Sequence, residues 1–126
     1  MATQGNQIRQ TFVAGADLSA KQYTFVTCNG VTADGENRTV VTPAVGAKVD
    51  GVVINNPGNT HAATVVVFGR TKVKAGGVIT AGAEVQTNAN GQVVAATTGI
   101  RVGKALEAAV ANQIITIDFY PGGNAA

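Results

Sequence analysis

The stretch Ala63-Thr64-Val65-Val66-Val67-Phe68-Gly69-Arg70-Thr71-Lys72-Val73 decides the fold class. Its apolar half is β-branched and aromatic, and such side chains, stiff at χ1, fit a pleated surface better than a helix. After Gly69 the run alternates. Arg70, Lys72 and Lys74 fall on one face and Thr71, Val73 and Ala75 on the other, which is the two-residue period of a half-buried strand. Gly69 itself marks a bulge or a close backbone approach.

The same chemistry extends through the chain. Val, Ile and Thr number 19, 7 and 15, so 41 of 126 residues are β-branched, against 2 Leu and one Met. Amphipathic helices therefore lack their usual core residue. Sixteen Gly and 10 Asn supply positions where positive φ is cheap, as short strands and tight turns require. The reading is all-β: one compact domain of short strands and tight turns, since 126 residues support a single core.

Further strands are expected at Tyr23 to Thr27, Thr39 to Thr42 (stopped by Pro43), Glu84 to Asn88, Gln92 to Ala96 and Ile114 to Phe119. In the last of these, Ile115 and Ile117 share a face. Asn29-Gly30 predicts a type I′ hairpin turn and Asn90-Gly91 a second hairpin. Ala33 to Arg38 and Asn55 to Thr60 read as loops. The segment Val73 to Val85 carries a repeat of about six residues marked by Ala75-Gly76 and Ala81-Gly82. Lys104 to Ala111 are good helix formers, but eight residues make a marginal helix, and the first half of Val102 to Ala111 is read as strand. The organisation is an N-terminal arm at 1–10, a β domain at 11–120 and a flexible C-terminal end at 121–126.

Composition excludes several functions. A net charge of +2 with 13% charged residues gives no electrostatic footprint for nucleic acid. The aromatic residues do not interleave with basic ones as stacking platforms would. No apolar run approaches a membrane span and no secretory signal is read, so synthesis in the cytoplasm is expected. Cys28 is the single cysteine and His61 the single histidine, which excludes an internal disulfide and the usual zinc sites. Cys28 is expected to be partly buried and inert. A nucleophile needs a base in reach, and His61 beside the Asn55 to Thr60 loop reads as an exposed loop residue. The carboxylates are scattered; Asp34 and Glu36 are close, but in a polar loop. Gly69-Arg70-Thr71-Lys72 lacks the order of a phosphate loop. Asn37-Arg38-Thr39 matches a glycosylation acceptor by chance. The expectation is a non-enzyme with no cofactor, metal or small-molecule substrate.

Two groups of residues remain as candidate contacts. The arm offers Thr3, Gln4, Asn6, Gln7, Arg9 and Gln10 for hydrogen bonding, with Ile8 as an apolar anchor; an extended segment of this kind can add as a strand to a partner's sheet edge. The face of Arg70, Lys72 and Lys74 is a secondary candidate, for an acidic protein surface. The valine-rich faces of Ala63 to Val73 and Ile114 to Phe119 exceed what a monomer of this size covers, which predicts a homotrimer.

In order and spacing, Phe12 to Ala20, Gln22 to Val26, Asp50 to Pro57, Thr71 to Gly76, Ile79 to Ala83 and Val102 to Ala109 resemble the capsid decoration, or cement, proteins of tailed bacteriophages, such as the head-decoration proteins of lambda-like phages. The resemblance covers Thr11 to Phe119 and departs most at Ala33 to Thr42. It implies a β-clip-like domain and strand at Val102 to Glu107. It also implies trimers on the outer capsid surface of a virion near local three-fold axes, bound to the major capsid protein and clamping its subunits. The alternatives are a free-standing β-rich module that recognises cell surfaces or carbohydrate, and a biotinyl- or lipoyl-like carrier domain. The carrier needs a lysine at a hairpin tip, where this chain has Asn90-Gly91.

Overall fold

The computed structural model describes residues 8–31, 38–97 and 99–120. The expectations for Thr3, Gln4, Asn6, Gln7, Asp34, Glu36, Asn37 and the 121–126 end lie outside them. Nine strands run through the described residues: β1 (Ile8–Ala14), β2 (Thr24–Val31), β3 (Arg38–Val41), β4 (Gly51–Val53), β5 (Ala62–Lys74), β6 (Glu84–Thr87), β7 (Val93–Ala95), β8 (Gly103–Ala105) and β9 (Ile114–Phe119). None of these residues is helical. The segment from Lys104 to Ala111 follows its tertiary surroundings rather than its helix propensity.

The strands form two rings that share β5. The order β1-β3-β2-β4-β5 closes because β1 also pairs with β5, Gln10 lying opposite Val65 and Phe12 opposite Ala63. Beyond Gly69, β5 exchanges these partners for β9, and the sheet continues β9-β8-β6-β7. A parallel bridge from Ala75 to Val93 joins its far edge back to the end of β5. Gly69, with φ at 109°, occupies the waist between the rings in a conformation that L side chains rarely adopt. The bulge lies just before it: Ile8 faces Phe68 while Arg9 faces Val66, so Val67 is the extra residue.

Each ring has its own core. Phe12, Leu18, Val26, Val40, Val53 and Val65 fill the first, and Phe25, Val52, Val73, Ile79, Val85, Ile115, Ile117 and Phe119 are among those filling the second. Adjacent residues of β2 and β4 point to opposite cores. Phe25 and Val52 go to one, Val26 and Val53 to the other, and all four are fully buried. A strand buried on both faces needs no polar alternation, and Gly51-Val52-Val53 has none. The Phe25 and Phe119 rings, 6.0 Å between centroids, tie β2 to β9.

The second ring contains a local two-fold that the sequence reading did not find. Ala75 N–H donates to Gln113 O (2.7 Å) as Ala105 N–H does to Ala83 O (2.8 Å). Gly82 N–H donates to Ala105 O (2.8 Å) as Asn112 N–H does to Ala75 O (2.7 Å). Ile79 and Ala109 exchange both bonds at 2.9 and 3.0 Å. The equivalents Ala75 and Ala105, Ile79 and Ala109, and Gly82 and Asn112 are each 30 residues apart, and the last two both have positive φ, 85° and 71°.

Two expectations change. Asn29-Gly30 is no hairpin turn: β2 runs on to Val31, and the pairing with β3 slips between Cys28 and Gly30, a bulge at Asn29 whose Oδ1 accepts from Thr39 Oγ1 at 2.6 Å. Strand β1 begins at Ile8, inside the segment read as an arm, because Ile8, Arg9 and Gln10 have β5 to pair with. Of the faces read as exceeding what a monomer covers, Val65, Val66, Val73 and Ile117 are buried within one chain at 0% exposure, while Phe68 and Ile114 are half exposed. The Asn90-Gly91 hairpin forms as read: Asn88 Oδ1 accepts from the N–H of Asn90 and Gln92, both at 2.9 Å, and Gly91 takes φ at 76°.

Candidate functional site

The alternation of β5 after Gly69 is realised in the fold. Thr71, Val73 and Ala75 are buried, Arg70 and Lys72 exposed, and Lys74 half-buried. The pairing register then brings in residues distant in sequence. Arg70 lies opposite Asp118, Asp118 opposite Lys104, and Lys104 opposite Glu84, a row of alternating charge across β5, β9, β8 and β6. Arg70 Nε donates to Asp118 Oδ1 at 3.0 Å, and Arg101 Nη1 forms an ion pair with Glu84 Oε1 at 3.2 Å. With these side chains 38 to 50% exposed, each pair contributes on the order of 0 to 1 kcal/mol.

The row divides the expected cationic trio. Arg70 is neutralised by Asp118, while Lys72 and Lys74 have no ion-pair partner among the described residues. Across from them are Thr116 and Ile114, the latter 50% exposed. This part of the face is basic and partly apolar.

Of the arm residues, Ile8, Arg9 and Gln10 are held on β5, and Ile8 faces Phe68 across the ladder. Phe119 faces Gly69, so both β1 and β9 reach the waist. An open cleft of about 490 Å³ lies there, lined by Phe68, Gly69, Arg70, Asp118, Phe119 and Tyr120. The fold thus brings Ile8 and Arg70 to one place and leads Lys72 and Lys74 away from it. Burial raises the Tyr120 phenol above its ordinary pKa, the carboxylates of Glu84 and Asp118 add to the rise, and Arg101 opposes them. Sequence reading missed Asp118 and Tyr120 as members of a site. Only the register of β5 against β9, absent from the linear pattern, connects them with Arg70.

The remaining candidates stand apart. His61 is exposed, its N–H donating to Gly58 O at 3.0 Å and its carbonyl accepting from Ala14 N–H at 2.9 Å. Cys28 is half-buried, and its N–H donates to Asp50 Oδ2 at 2.7 Å. Burial first, and the Asp50 charge second, push its thiol pKa up, which makes it a poor nucleophile. Ser19 donates to Asp17 and holds that carboxyl below its usual range. Among the described residues no group of three or more His, Cys, Asp or Glu could hold a metal ion.

This fold is shared with a known phage structure. The head fiber gp8.5 N base of bacteriophage phi29 superposes with a TM-score of 0.73 at 18% identity, over 90% of this chain and 93% of that one. At that identity the likeness is one of fold. The neighbour is a head-fiber base rather than a lambda-like decoration protein. No family model and no curated protein matches the chain.

Proposed function

We propose that the chain is a structural, non-catalytic protein of a phage virion, carried on the outer capsid surface as a homotrimer near local three-fold axes and bound to the major capsid protein, where it clamps neighbouring subunits. The observation that carries this reading is the likeness, over nine-tenths of the chain, to the base of a phage head fiber. The physical logic is that of a small rigid domain: docking buries surface that its own core cannot, and anything that binds only the folded, assembled state stabilises it. Residues 2 to 7, leading into β1 at Ile8, and the basic pair Lys72 and Lys74 are the proposed capsid contacts.

The test mixes purified protein with expanded capsids lacking it. It should pellet with them and raise the temperature at which they open; capsids equally resistant with and without it would end the cement reading. Deleting residues 2 to 7 leaves β1 whole, and should weaken pelleting at least tenfold without changing circular dichroism. Undiminished binding after that deletion, with loss after Lys72→Ala and Lys74→Ala together, would move the contact to β5. Light scattering that reports a monomer both in solution and on the particle would remove the trimer.

A further inference from the structure

Three of the four phenylalanines are buried, Phe12 at 8%, Phe25 at 0% and Phe119 at 1%, whereas Phe68 at the waist cleft is 51% exposed. The charges that line the cleft cancel, since Arg70 and Asp118 are paired at 3.0 Å. That pair also holds the Asp118 carboxylate in place through Oδ1. Its Oδ2 and the Tyr120 hydroxyl have no hydrogen-bond partner among the described residues. A phenol with raised pKa stays protonated at neutral pH and both donates and accepts. Gly69 contributes no side chain to the cleft.

These features select a ligand. A charged one gains little from a lining whose cation is already paired. A purely apolar one would cover Asp118 Oδ2 and the Tyr120 hydroxyl without satisfying them, at roughly 1 to 3 kcal/mol for each. A sugar ring offers an apolar C–H face for an aromatic side chain and hydroxyls at its edge. Mostly apolar walls with a few placed polar groups, within a few hundred Å³, are also the usual build of a small-ligand site. We propose that the waist cleft binds a neutral saccharide, one ring lying on Phe68 with its hydroxyls bonded to Asp118 and Tyr120. Lys72 and Lys74 lead away from this site, whereas Ile8, the residue that follows the proposed contact at 2 to 7, faces Phe68.

The experiment titrates the isotope-labelled full chain with neutral oligosaccharides of glucose, galactose, mannose and N-acetylglucosamine, followed by amide shifts. At least one should give saturable shifts at Gly69, Phe119 and Tyr120. Phe68→Ala should lose at least tenfold in affinity and Tyr120→Phe several-fold, with Lys72→Ala unchanged and every variant folded by circular dichroism. No saturable shift with any oligosaccharide, or undiminished affinity in Phe68→Ala, overturns the proposal. Loss of capsid binding in Phe68→Ala without saccharide binding by the parent chain would make the cleft a protein contact instead, and also overturns it.

Discussion

The first ring closes through two ladders on β1, whereas the second returns to the end of β5 through a single bridge, Ala75 to Val93. The first draws its order from strands buried on both faces, the second from turns repeated about a local two-fold. Adjacent residues such as Val52 and Val53 serve different cores, so the rings are joined by packing as well as by the shared strand. Two closures of unequal strength therefore need not unfold separately.

That coupling is tested most severely at Phe25. Phe25→Ala removes the ring that meets Phe119 and should lower stability by about 3–5 kcal/mol in chemical denaturation, still as one transition. Two resolved transitions would show that the rings are separable. Gly51→Ala strikes the layer between the cores. A Cβ there would run into Val65 Cγ1 and lie 2.7 Å from Val66 O, so a loss of about 1–3 kcal/mol is expected from the same measurement. In the second ring, Gly82→Ala meets no atom within 4 Å and isolates the cost of positive φ, about 1 kcal/mol in thermal or chemical unfolding. Asn112→Ala should cost a similar amount and Asn112→Gly almost nothing, if the two turns are equivalent. Arg70→Ala should change stability least, by less than about 1 kcal/mol, because its pair is half-exposed.

The sequence revealed the strands wherever one face is wet. Thr71 to Ala75 and Ile114 to Phe119 show period two because water covers one side. It was silent where both sides are covered: Gly51-Val52-Val53 has no polar residue to mark a face. The Asn29-Gly30 pair looked like a turn because the dipeptide favours one, but β3 pairs past it and the extra residue is absorbed as a bulge. The arm boundary failed at Ile8 because a polar strand start looks like a tail until its partner is known. Of the site, the basic face was legible and the waist was not. Arg70 and Asp118 are 48 residues apart, and only the β5–β9 register makes them neighbours.

Ile8 and Phe119 lie opposite consecutive residues of β5, Phe68 and Gly69, which places the two ends of the domain within about 10 Å, two interstrand spacings. A domain whose ends meet is a cassette. A short linker could join them and the chain be reopened at the exposed end of the Asn55 to Thr60 loop, giving a circular permutant with every ladder intact. It could equally be spliced into a surface loop of another protein without forcing that loop apart. Cargo joined at Ile8 or at Phe119 would start from one place beside the cleft.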